Sequence, residues 1–119
     1  MGIYTNFFWD TGFARINARL NGAHIAGNLN AIVCFPARPG SEHSFGMAID
    51  VSAIDGAVVS KHWKDKGIKG DTLRKAASVA CKHFSNVLTP ETNRLHHNHF
   101  HLDSGVGFQC DARSEIGFQ

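Results

Sequence analysis

Charge, rigidity and cross-linking motifs are all scarce in this chain of 119 residues. Only 18% of the residues are charged, and 12 basic residues against 10 acidic ones leave a formal net charge of +2. That balance is too even for the basic stripe that neutralises a phosphate backbone, so no nucleic acid is expected as a partner. Long apolar runs are missing too. The longest stretch without a formal charge, Leu20 to Ala37, contains His24, Asn21, Asn28, Asn30, two glycines and Pro36, and a bilayer would leave those polar groups unsatisfied, so no transmembrane segment is expected. The N-terminus has neither a basic n-region nor an apolar h-region, and Asn6 stands where a myristoylation signal requires Ser or Thr.

Cysteine is sparse and unpaired in sequence. Cys34, Cys81 and Cys110 form no C-x-x-C motif, which argues against a thiolate zinc site or a thioredoxin-type pair. An odd count leaves open three reduced, buried thiols or one disulfide with one free thiol.

No repeat, low-complexity tract or linker interrupts the chain, so residues 1–119 read as one domain with 43% hydrophobic residues to build a single core. Turn signals stand at Asn21-Gly22, Pro39-Gly40, Asp55-Gly56 and Lys69-Gly70. Leu29–Phe35 reads as a strand, and Met47–Ile54 alternates Met47, Ile49 and Val51 against Ala48, Asp50 and Ser52, which predicts a half-buried strand with Asp50 on its less apolar face. Asp55-Gly56 followed by Ala57, Val58 and Val59 predicts a tight type I′ hairpin. Asp71 offers an N-cap to a helix whose apolar face is Leu73, Ala76, Ala77, Ala80 and Phe84, with Arg74, Lys75, Ser78 and Lys82 outside it. After Pro90, His96–Asp103 reads as a final strand. The expected fold class is α+β, a small antiparallel sheet with packed helices.

The chemistry concentrates in two segments. Four of the eight histidines lie between His96 and His101, and a regular strand there would put His97, His99 and His101 on one face. The other segment runs from Ser41 to Asp50, with His43 and Asp50 seven residues apart across Gly46. Taken singly, His43 is an ordinary loop or core histidine and the His-rich run a solvated surface. Asp50 within an apolar strand is harder to dismiss, because a buried carboxylate needs a partner, a backbone network or a metal. Zinc in hydrolytic sites takes three N/O ligands and acidifies a bound water. His43, Asp50 and one histidine of the last strand would supply such a set, leaving its strand neighbour within reach to move a proton.

Ser41-x-His43-x-x-Gly46-x-Ala48-x-Asp50 resembles the S-x-H-x-x-G-x-A-x-D signature of the zinc D-Ala-D-Ala metallopeptidases, and His99-Phe100-His101 resembles their H-x-H signature. The closer likeness, over about Val33 to Cys110, is to the extensin-like C-terminal domain. The resemblance implies a hedgehog/D-Ala-D-Ala metallopeptidase-like fold with Zn2+ held by His43, Asp50 and His101. It implies His99 as the base or transition-state partner, His96 lining the site, and Ser41 and Gly46 in structural positions. It also implies a Cys81–Cys110 disulfide, with Cys34 left over. Arg38 is the nearest candidate for holding a substrate carboxylate, with Arg15 and Arg19 behind it. Asp103 is a candidate to orient a ligand ring through its second nitrogen, and Glu42 and Glu91 are reserve bases.

The function so implied is a zinc-dependent hydrolase of peptidoglycan peptide bonds, an endopeptidase or carboxypeptidase at a D-amino-acid bond, with peptidoglycan or its stem peptides as partner. A disulfide implies a periplasmic, cell-envelope or secreted setting. A toxin domain or lysin is a further context, in which an inhibitor or immunity protein would be a partner. The alternative from another class is a catalytically silent, zinc-stabilised module that binds cell wall or protein.

Overall fold

The computed structural model describes residues 16–20, 23–27 and 48–112. Two strands, β1 (Ile16–Leu20) and β2 (Ala23–Gly27), pair antiparallel from Ile16↔Gly27 to Leu20↔Ala23, which places the Asn21-Gly22 signal between them. The Leu29–Phe35 segment lies outside the described residues.

The central strand, β3 (Ala48–Ile54), pairs antiparallel with β1 on one side and with β6 (Phe100–Asp103) on the other. Its alternation breaks once. Asn17 pairs with Ala53 and Ala18 with Val51, so Ser52 is an extra residue in a bulge, and its hydroxyl donates to the Asn17 carbonyl at 3.0 Å. The bulge explains why Val51 and Ile54, three apart, are both buried. Beyond it, Asp55 and Gly56 take φ of 48° and 80°, the paired positive values of the expected type I′ turn. This turn leads into β4 (Ala57–Val58), which pairs back on β3.

The chain then coils instead of extending the hairpin. Val59–His62 forms the short helix α1, where the Val58 N–H donates to His62 Nδ1 at 2.8 Å. Helix α2 spans Ile68–His83 with Gly67 at its N-cap, four residues earlier than an Asp71 cap would start it. Asp71 instead sits in its first turn and accepts from Arg74 at 2.8 Å. Gly70 is thereby helical and not a turn residue, and a Cβ there would lie 1.9 Å from the Asp65 carbonyl oxygen. Only glycine lets the helix start so close to the preceding loop. Leu73, Ala76, Ala77 and Ala80 are fully buried as the spacing predicts, and Phe84 follows at the C-cap. Arg74 departs from its expected place outside that face: it is buried, and its second guanidinium branch donates to the Trp63 carbonyl at 2.9 Å.

Strand β5 (Asn86–Leu88) pairs antiparallel with β6, and β7 (Gln109–Cys110) joins β5 in parallel. The sheet order is β2-β1-β3-β6-β5-β7, so the expected antiparallel sheet is mixed at its β7 edge. Ile49, Val51, Val87, Phe100 and Leu102 share a core with α2, Val59 and Trp63, and Trp63 meets Phe100 edge to face at 5.4 Å. The architecture is α+β.

Candidate metal centre

Because side chains alternate along a strand, the residues between the core positions of β3 and β6 are displayed together on the opposite face. The register puts Asp50 directly across from His101, and Leu88 of β5 across from His101 on its other side. Asp50 Oδ1 lies 3.2 Å from His101 Nδ1, and His101 Nε2 lies 2.7 Å from Asp103 Oδ2. One imidazole is therefore held between two carboxylates. Asp103 is itself anchored: its Oδ1 accepts from Asn86 Nδ2 at 2.7 Å and from the Gly105 N–H at 3.0 Å.

The electrostatics follow. Burial opposes charge on His101, but the hydrogen bonds to Asp50 and Asp103 and their negative charges outweigh it and hold the ring above its ordinary pKa. Burial likewise opposes charge on Asp103, while the donors from Asn86, Gly105 and His101 overcome it and lower that carboxyl. His96 is lowered by burial and by the neighbouring His99 and His101 rings. Its ring centroid is 5.1 Å from that of His99 and 6.1 Å from that of His101.

The route by which His96 arrives corrects the expected strand. Residues 94–96 form a 3-10 turn, η1 (Arg94–His96), and His97 and Asn98 are in a turn, so the extended segment begins only at Phe100. Asn93 causes this, its Oδ1 accepting from the Leu95 N–H at 3.0 Å and from His96 Nδ1 at 2.8 Å. His96 is consequently the ring beside His99, whereas exposed His97 bonds back to the Arg94 carbonyl at 3.0 Å. His99 Nε2 stands 3.9 Å from Asp50 Oδ1, and its Nδ1 donates to Asn98 Oδ1 at 2.8 Å.

Asp50, His96, His99, His101 and Asp103 are thus gathered on one face. Arg38, Ser41, Glu42, His43 and Gly46 lie outside the described residues, as do Cys34 and Arg15, and Arg19 enters only as the backbone partner of Asp50. Glu91 is exposed and engaged elsewhere, accepting from Trp63 Nε1 at 3.0 Å. Among the described residues no three His, Cys, Asp or Glu side chains converge to hold a metal by themselves. Asp50 Oδ1 and His101 Nδ1 nevertheless fit two sites of an N/O set. They face each other, and the far nitrogen of the ring is fixed by a carboxylate as in metal-bound histidines. Asn86 and Asn93 escaped the sequence reading, since isolated amides carry no periodic signal.

The model of the family described as extensin-like protein C-terminus matches residues 31–111. The chain belongs to this extensin-like family. No curated protein and no solved structure matches it. The extensin-like match takes in both motif segments and leaves out β1 and β2, close to the expected span of Val33 to Cys110. Its Cys81–Cys110 disulfide is present, with Cα atoms 5.6 Å apart, and joins α2 to the β7 edge of the sheet.

Proposed function

We propose that this extensin-like domain is a zinc-dependent hydrolase of peptidoglycan peptide bonds, related to the zinc D-Ala-D-Ala metallopeptidases and working in an oxidising envelope or extracellular setting. The observation that carries the reading is the Asp50–His101–Asp103 line, in which Asp50 faces the His101 ring and Asp103 holds that ring from behind. Asp50 and His101 would hold the ion, with His43 assigned as third ligand on the motif match. Zinc bound there would polarise a scissile carbonyl and lower the pKa of a water.

The remaining chemistry belongs to the side chains. Because His99 Nδ1 donates to Asn98, the neutral ring keeps its lone pair on Nε2, on the side of Asp50, where it can accept a proton and return it to a leaving amine. His96, whose pKa is lowered by burial and by the neighbouring His99 and His101 rings, can accept a hydrogen bond beside it without adding charge. The disulfide supports the compartment, since such bonds persist where thiols are oxidised.

The test is mass spectrometry of purified peptidoglycan after incubation with the protein, with chelator and with zinc restored. New peptide fragments that vanish with chelator and return with zinc are expected. His99→Ala should lower turnover by about 10²–10⁴-fold with zinc still bound. Intact peptidoglycan in the presence of folded, zinc-loaded protein would overturn the hydrolase and leave the binding module.

A further inference from the structure

Apart from the histidine cluster, a cleft borders η1. It occupies about 540 Å³ between α1 and the loop that carries η1, lined by Val59, Ser60, Lys61, Trp63, Lys64, Pro90, Asn93, Arg94 and His97. Val59 and Trp63 are buried and make an apolar floor, whereas Ser60, Lys61, Lys64, Arg94 and His97 are exposed. No carboxylate lines it. In a chain whose basic and acidic residues nearly balance, three permanent cations around one cleft are a local excess. Among the described residues none of Lys61, Lys64 and Arg94 has an ion-pair partner. Trp63 contributes no polar group there, its Nε1 being committed to Glu91.

We infer that this cleft binds the carboxylates of an acidic peptide. The volume suits a small ligand or a few residues of a chain. A cationic rim over an apolar floor selects a segment with negative side chains on an aliphatic backbone, and the arginine offers a planar fork to one carboxylate while the two lysines act as point charges for another. A peptide is favoured over a phosphate polymer by position. Consecutive residues of η1 and its cap border the two sites, His97 lining the cleft and His96 standing beside His99 and His101, so the cleft adjoins the histidine cluster through η1. In this the inference rests on the peptidase reading, but binding in the cleft requires neither metal nor turnover.

The experiment is calorimetric titration of chelator-treated protein with a synthetic pentapeptide carrying two carboxylate side chains, against the same peptide with those carboxylates amidated. Circular dichroism verifies the fold of each protein sample. The acidic peptide should bind and the amidated one should lose at least about tenfold in affinity. The double variant Lys61→Gln/Arg94→Gln should weaken the acidic peptide by about tenfold as well, while Lys82→Gln, an equal charge loss on exposed α2 surface, should not. Both altered cleft positions are exposed, so folding is preserved. As a second measurement on unaltered protein, the acidic peptide should protect Lys61 and Lys64, but not Lys82, from acetylation. Equal binding of both peptides, or no protection of Lys61 and Lys64, would overturn the inference. So would tighter binding of inorganic polyphosphate with the same dependence on Lys61 and Arg94, which would assign the cleft to a phosphate polymer. Because metal is absent throughout, loss of hydrolysis and loss of this binding are read separately.

Discussion

Asp103→Asn isolates what the carboxylate behind His101 does. The two donors on Asp103 Oδ1, Asn86 Nδ2 and the Gly105 N–H, at 2.7 and 3.0 Å, require an acceptor and therefore fix the amide oxygen of the variant on that side. Its NH₂ is then turned to His101 Nε2, where Asp103 Oδ2 stood at 2.7 Å. A donor at that point demands the lone pair of Nε2, so the neutral ring must carry its proton on Nδ1, the nitrogen that faces Asp50. The variant keeps the shape of the site and reverses the tautomer. Partners of this kind are worth about 10–100-fold in metal affinity, or about 1.4–2.7 kcal/mol. Zinc titration of chelator-stripped protein measures the loss, and nitrogen chemical shifts of the His101 ring report which atom holds the proton. Wild-type zinc affinity, or a ring proton still on Nε2 in the folded variant, would refute the reasoning.

Two further predictions follow from the same geometry. Asp50 and Asp103 hold His101 above its ordinary value, so below that raised pKa zinc must displace a ring proton; apparent affinity should there fall about tenfold per pH unit, and calorimetry in buffers of different ionisation enthalpy should count one proton released. For folding without metal, the raised His101 pKa contributes stability below the ordinary histidine value that is lost as pH rises through the folded one, whereas the lowered Asp103 pKa contributes stability above the ordinary carboxylate value that is lost as pH falls through the folded one; His96, lowered, opposes folding in acid. The Cys81–Cys110 bridge spans 29 positions, so Cys81→Ser/Cys110→Ser should cost about 3.6 kcal/mol in the chain-entropy model, read as an earlier denaturation midpoint with an m-value that rises as the unfolded chain expands.

The elements legible in the sequence were those with a local cause. Asp55-Gly56 gave its turn because two positive φ angles in succession suit few residues, and the Ile49/Val51 alternation gave a half-buried strand with Asp50 on the open face. The α2 apolar stripe was visible for the same reason. What stayed hidden depends on partners distant in sequence. The Ser52 bulge exists only against Asn17, and Gly70 becomes helical because it packs on the Asp65 carbonyl. The parallel β7 edge is set by pairing with β5 and lies beside a disulfide that only family resemblance suggested. His96 and His97 exchanged roles because Asn93 caps a 3-10 turn, and period-2 reasoning cannot foresee a cap that ends the period.

The line of Asp50, His101 and Asp103 needs no special loop to build it. Antiparallel pairing puts Asp50 opposite His101 with Cβ atoms about 4.5–5.5 Å apart, and two steps along β6 return the chain to the same face at Asp103. What makes the line rigid is the face behind it. Ile49 and Val51 on β3 and Phe100 and Leu102 on β6 are fully buried, so a one-residue slip of either strand would drive a carboxylate or an imidazole into the core and expose those side chains to water. Hydrophobic burial thus holds the register of groups it never touches. Within that register two carboxylates flank one imidazole and favour positive charge between them, which raises the affinity of the ring for a proton. The proposed zinc at Nδ1 would be favoured by the same negative charges. The upward shift of His101 and the proposed zinc affinity thus share one cause, and weakening either carboxylate should diminish both together.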